Sequence, residues 1–226
     1  DFAPNLMIDN VNIQDYLQNH FFNAMSKVAN ILQNETNVIG FDTLNEPNNG
    51  YIGFDNIQQL HLIVPFLWDM SHFSLMTMAS GYSYSNVPFY YSPMLYGGSY
   101  NMNPNGISAW INGPKSDIWR KHGVWDVDPI TKRPKLLKAD YFHKKPNGND
   151  IDFTNDYMVP FYKKFESVIR KSIPNAVIFA EPHINIIQAW KEKIEPKMPN
   201  ADRFVWVPHY YDLLTLLSKS FRKWIV

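Results

Sequence analysis

The chain has 226 residues, 45% of them hydrophobic and 15% aromatic, which is enough apolar material to bury a sizeable core and too much for a disordered segment. Lys plus Arg and Asp plus Glu both number 21, so there is no long-range positive field to gather nucleic acid. The absence of cysteine removes disulfides and thiolate metal sites and favours an intracellular setting, cytoplasmic or vacuolar, and no run reaches the roughly 18 apolar residues of a membrane span.

The chain starts at Asp1 rather than Met and ends on an apolar and basic run at 221–226, so both ends read as cut. Between Asn12 and Asn34 the residues Ile13, Leu17, Phe21, Met25, Val28 and Leu32 recur at the spacing of one helical face. A turn at 34–37 follows, then the short apolar run Val38-Ile39-Gly40-Phe41, which suits a parallel strand buried on both faces. That strand leads into Asn45-Glu46-Pro47. Asn48 to Asp152 is too long for an ordinary βα connection and reads as an insertion, 48–152, within a single domain or a large part of one. Short helices are expected within 60–78, ahead of a Ser-, Gly- and Pro-rich stretch crowded with Tyr82, Tyr84, Phe89, Tyr90, Tyr91, Tyr96 and Tyr100. The helix-then-strand unit returns twice. Tyr157, Phe161, Phe165 and Val168 share a face before a strand over 176–179 that ends at Glu181-Pro182, and a helix over 184–194 precedes a strand over 204–207 that ends at His209-Tyr210-Tyr211. Three such units indicate an α/β fold with a parallel sheet.

In parallel α/β architectures functional groups gather beyond the carboxyl ends of the strands. Three strand ends here carry Asn45-Glu46, Glu181 and His209 with Tyr211. A carboxyl just past a buried strand is partly desolvated, which raises its pKa towards the range useful to a general acid. Glu46 fits that description, and the Asn45 amide suits a sugar hydroxyl beside the reacting carbon. The plainer reading makes Glu46 a solvated turn acid. Glu181 repeats the geometry and could pair with Glu46, or could equally contact substrate or brace its loop. For His209 and Tyr211, strand alternation would set both side chains on one face, with a partly buried histidine and an aromatic wall as the plainer reading. The aromatic insertion either packs over the fold or walls a substrate cleft. No HExxH motif, phosphate-binding glycine loop or GxSxG elbow occurs, so metalloprotease, nucleotide-binding and serine-hydrolase readings lack support.

Four segments carry a family likeness: Ile39 to Pro47 followed by Gly50-Tyr51-Ile52-Gly53, Asn103 to Trp110, Trp119 to Asp126, and Pro208-His209-Tyr210-Tyr211-Asp212. In these the chain resembles glycoside hydrolase family 5, and within it the endoglycoceramidase-related fungal β-glucosidases that act on glucosylceramide or steryl glucosides. The resemblance implies a retaining β-glucosidase in a (β/α)8 TIM barrel of which this chain holds about strands 4 to 6, with Glu46 as acid/base. It implies that Tyr211 hydrogen-bonds a nucleophilic glutamate on the seventh strand, beyond Val226, and it leaves Glu181 a substrate contact or loop support. It further implies a glycolipid substrate, peripheral contact with a membrane, no particular protein partner, and no cofactor or metal, since two carboxyl groups suffice. The alternatives are an endoglycoceramidase or oligosaccharide hydrolase of the same family, or a glycolipid-binding chain without activity.

Overall fold

The computed structural model describes residues 2–59, 67–92, 95–183, 190–209, 212, 215 and 219–220. In chain order its elements are β1 (Met7–Ile8), β2 (Val11–Asn12), α1 (Ile13–Leu32), β3 (Gly40–Asp42), β4 (Leu67–Trp68), α2 (His72–Ala79), β5 (Tyr84–Ser92), β6 (Leu95–Met102), α3 (Ile118–Lys121), β7 (Trp125–Val127), β8 (Pro134–Leu136), α4 (Val159–Ile169), β9 (Val177–Ala180) and β10 (Phe204–Trp206). They form two compact units. One comprises residues 1–18 and 51–151, the other 19–50 and 152–226.

The unit of residues 19–50 and 152–226 holds a three-stranded parallel sheet in the order β10-β9-β3. Its register sets Phe41 beside Ile178 and Phe204 beside Ile178. Because successive side chains alternate across a strand, Phe41, Ile178, Ala180 and Phe204 all enter the core. There they join Phe22 and Ala29 of α1 and Tyr162, Phe165 and Ile169 of α4. Each fully buried large side chain contributes about 1.5–3 kcal/mol. Among the described residues β3 and β10 are each paired on one side only, so the sheet is open and no barrel is closed.

One strand boundary and one helix face differ from the sequence reading for clear reasons. The strand predicted from Val38 begins at Gly40, because the Val38 N–H donates to Glu35 O in the turn that leaves α1. The buried stripe of α1 runs through Phe22 and Ala29, flanked by Phe21, Met25 and Leu32, whereas Leu17 and Val28 are exposed. Steps of four residues turn about 40° past a full turn at 3.6 residues per turn, so a run of fours drifts off the face. Of the helix expected over 184–194, residues 184–189 lie outside the described set and Trp190–Ile194 form one wide π turn.

At the foot of this sheet the strands touch closely. A Cβ added to Gly40 would lie 2.0 Å from the Val177 carbonyl oxygen. No rotamer relieves a clash with backbone, so Gly40→Ala must spread β3 from β9. We expect it to destabilise the fold by about 2–3 kcal/mol, read as a lowered urea midpoint. An unchanged midpoint would show that the strands part freely.

The unit of residues 1–18 and 51–151 is built on an antiparallel sheet, β4-β5-β6, and a β7–β8 hairpin. Its core is Ile57, Phe73, Met76, Val124, Trp125 and Phe142. The single helix in the described part of 60–78 is α2, whose N-cap Ser71 accepts the Ser74 N–H at 3.1 Å, with the short strand β4 ahead of it. The tyrosine-rich stretch is the β5–β6 hairpin. Trp68, Phe89, Tyr91 and Tyr100 cluster on it, and Gly97 lies under the Phe89 and Tyr91 rings, where a Cβ would meet them at 2.7 and 2.9 Å. No helix among the described residues is long and apolar enough to cross a membrane.

Candidate functional site

Three neighbouring parallel strands end on the same side of their sheet, and the segments leaving those ends bring Glu46, Glu181 and His209 into contact. β3 runs out at Asp42, where the Thr43 N–H still donates to Phe179 O at 3.0 Å. In return the Glu181 N–H donates to Thr43 Oγ1 at 3.2 Å. Past this last rung the chain leaves the sheet, and Pro47, which has no N–H, could not rejoin the ladder as a donor. It turns at Glu46 with φ +45°, a left-handed conformation that costs a non-glycine residue roughly 1–3 kcal/mol. The Glu46 N–H meets that cost in part by donating to Glu181 Oε2 at 2.7 Å.

His209, beyond β10, lies between the two glutamates. Its Nδ1 is 2.8 Å from Glu46 Oε1 and its Nε2 is 3.0 Å from Glu181 Oε1. The hydrogen bond to Glu46 foremost, with the nearby Glu181 charge, raises its pKa above the ordinary value, so the imidazolium that donates from both nitrogens is favoured. The predicted role of strand alternation does not apply to this residue. β10 ends at Trp206, and His209 is placed by the loop that follows.

Glu181 is buried, whereas Glu46 is exposed and not desolvated as its place past a strand suggested, because the left-handed turn carries it clear of the sheet. Beneath Glu181, the Tyr162 hydroxyl of α4 donates to its backbone carbonyl at 2.5 Å. Burial, then the charges of Glu181 and Asp42, push the Tyr162 phenol well above its usual range, which keeps it a neutral donor. Asn45 is exposed beside Glu46. Tyr211 lies outside the described residues.

One participant escaped the sequence reading. Asp42, the last residue of β3, hydrogen-bonds the Glu181 carboxyl, and although the residue as a whole is exposed, partial desolvation of its carboxyl followed by the Glu181 charge pushes it up to about 6. The available signal was a charged side chain closing an apolar strand. His183, one residue past Pro182, is buried with Nε2 2.9 Å from Asn49 Oδ1 and its ring edge-on to Phe153. Burial lowers its pKa, so it is a neutral packing residue. Among the described residues no cluster of His, Asp and Glu is arranged to hold a metal ion.

Chemically, the arrangement offers one exposed carboxyl whose backbone and side chain are both anchored, a cation touching it, and a buried carboxylate behind. Such a carboxyl can deliver a proton to a group arriving from solvent at a fixed position.

No protein-family model matches the chain. It is 34% identical over 93% of its length to a glucosylceramidase of Cryptococcus neoformans var. grubii, and 32% identical over 99% to a glucosylceramidase of Aspergillus fumigatus. To the ergosteryl-β-glucosidase of Saccharomyces cerevisiae it is 28% identical over 98%. The chain spans only 29% to 32% of the length of these relatives. Its structure matches the crystal structure of Cryptococcus neoformans sterylglucosidase 1 with tris at a TM-score of 0.80 and 27% identity, covering 96% of this chain and 34% of that one. Over nearly all of its length, the chain is thus a homologue of the fungal glucosylceramidases and steryl β-glucosidases, which are glycoside hydrolases.

Proposed function

We propose that this chain carries the acid/base half of a retaining β-glucosidase site that cleaves glucose from a membrane glycolipid, a steryl glucoside or glucosylceramide. The observation that carries the reading is the contact of Glu46 with His209 beyond the ends of β3 and β10, the two parallel strands that flank β9. Glu46 donates its proton to the glycosidic oxygen as the bond to the sterol or ceramide breaks, then takes one from the water that releases glucose. Asn45 meets the sugar hydroxyl next to the reacting carbon. His209 holds the Glu46 carboxyl at one rotamer. The open sheet with these strand ends corresponds to strands 4 to 6 of a TIM barrel, whose active sites lie at this end.

Glu181 is not assigned the nucleophile's place. A retaining pair stands about 5 to 5.5 Å apart with the sugar between, whereas here the imidazole of His209 fills the space between the two carboxylates. The nucleophile, and the contact of Tyr211 with it, are assigned to the full barrel, in the share of the relatives' length that this chain does not span.

The test is product analysis with the whole gene product on a steryl glucoside, glucosylceramide and an oligosaccharyl ceramide, with proton NMR following the first-formed sugar. We expect β-glucose, with configuration retained, from the monoglucosides. Release of intact oligosaccharide alone would instead establish the endoglycoceramidase alternative, and glycolipid binding without any sugar release would establish the inactive one.

A further inference from the structure

We infer that Glu181, braced by Asp42, is a positioning residue that joins the Glu46 backbone and the His209 ring into one rigid unit, and so sets where the Glu46 carboxyl is delivered. The inference rests on the acid/base reading of Glu46. What it adds is the role of a buried carboxylate that touches neither sugar nor leaving group.

Besides the hydrogen bond from Asp42, four contacts converge on Glu181. Its Oε2 accepts the Glu46 N–H at 2.7 Å and its Oε1 lies 3.0 Å from His209 Nε2. Its own N–H is held by Thr43 Oγ1 at 3.2 Å and its carbonyl by the Tyr162 hydroxyl at 2.5 Å. Its main chain is therefore tied to β3 and α4, and its side chain to both functional groups. Its side chain is only 5% exposed, too enclosed to meet a substrate. The bond to the Glu46 N–H matters more than most, since it holds a residue at φ +45°. Released, Glu46 would relax towards a commoner backbone conformation and carry its carboxyl off the His209 Nδ1.

The ionisable groups facing Glu181 are Asp42 from β3, Glu46 from the following loop, Tyr162 from α4 and His209 from beyond β10. Tyr162 stays neutral. The remaining set is three carboxyls around one imidazolium, an excess of negative charge that a single shared proton relieves. Asp42, pushed up to about 6, holds that proton below pH 6 and donates it to Glu181. Its folded-state pKa lies above the ordinary 3.8, so the stabilisation is complete below pH 3.8 and is lost as pH rises through about 6. Above that, two adjacent carboxylates repel and the brace slackens.

The experiment uses the whole gene product carrying Glu181→Gln, which keeps shape and one acceptor oxygen but loses the charge. We expect kcat on a steryl glucoside to fall about tenfold, with KM changed less than twofold. NMR of labelled histidine should show the His209 titration midpoint moving down, because the hydrogen bond to Glu46 and the Glu181 charge that raise it are both weakened. A raised KM with kcat intact would make Glu181 a sugar contact and overturn the inference, as would unchanged kinetics with an unmoved His209 midpoint. Should Glu181→Gln fail to fold, Asp42→Asn decides. It donates at every pH, so kcat should fall less steeply than in the parent between pH 5 and 8, and identical profiles would sink the brace. The acid/base reading is judged separately, by whether Glu46→Gln discriminates between leaving groups. Failure there leaves no reaction for Glu181 to serve, whereas success there with a silent Glu181 removes this inference alone.

Discussion

Glu46→Gln in the whole gene product lowers turnover of a steryl glucoside by about 10²–10⁴-fold, the range that general acid catalysis supplies. An activated aryl glucoside loses far less in its first step, because its leaving group departs without a proton. The glutamine fills the same volume, keeps its backbone N–H for Glu181 Oε2 and can still accept from His209 Nδ1, so the left-handed turn and its anchors persist. What disappears is a transferable proton. The measurement is kcat/KM for the two substrates side by side, with the parent's ratio as reference. Small and equal losses on both would reduce Glu46 to the solvated turn acid of the plainer reading.

The second large effect is on stability, and it arises at the opposite end of the same sheet. Arg170, at the end of α4, pairs with Glu166 one turn earlier, and the two side chains are 11% and 5% exposed. The guanidinium also donates to Ala176 O just before β9 and to Arg203 O just before β10, at 3.3 and 3.4 Å, and lies over the Phe204 ring. Asn200 Nδ2 completes the set by donating to Glu166 Oε1 at 2.6 Å. Glu166→Leu therefore strands a buried cation, and we expect a loss of about 3–5 kcal/mol in urea unfolding. Removing both charges with Glu166→Leu and Arg170→Met should cost less than the single change, because no uncompensated ion remains. A loss under about 1 kcal/mol for Glu166→Leu would mean that water reaches the pair.

Much of the sheet can be read from sequence because parallel strands are short apolar runs, and the three found here close on polar residues, two of them, β3 and β9, after the helices α1 and α4. That pattern also explains why Glu46, Glu181 and His209 were singled out. Asp42 was not, since its contact with Glu181 depends on the register that sets it beside Phe179, and a one-residue slip would turn it to the other face. The β5–β6 hairpin was hidden for a different reason. Pro88 and the pair Gly97-Gly98 lie inside its strands, residues that argue against a strand; here Pro88 stays in register opposite Ser99, and a register shift falls at Gly97. Of the face predicted for α1, Phe21, Met25 and Leu32 pack on the core, while Leu17 and Val28 face outward and are as apolar as the residues that are buried.

The close approach at Gly40 bears on how variation in this protein should be interpreted. Gly40 lies on β3 six positions before Glu46, opposite the strand that delivers Glu181, so the gap it permits between backbones is also the gap across which Glu181 reaches the Glu46 N–H. A carrier of a bulkier residue there would show the phenotype of a damaged active site while every reacting side chain remained intact, and a survey scoring positions by distance from the chemistry would file the allele in the wrong class.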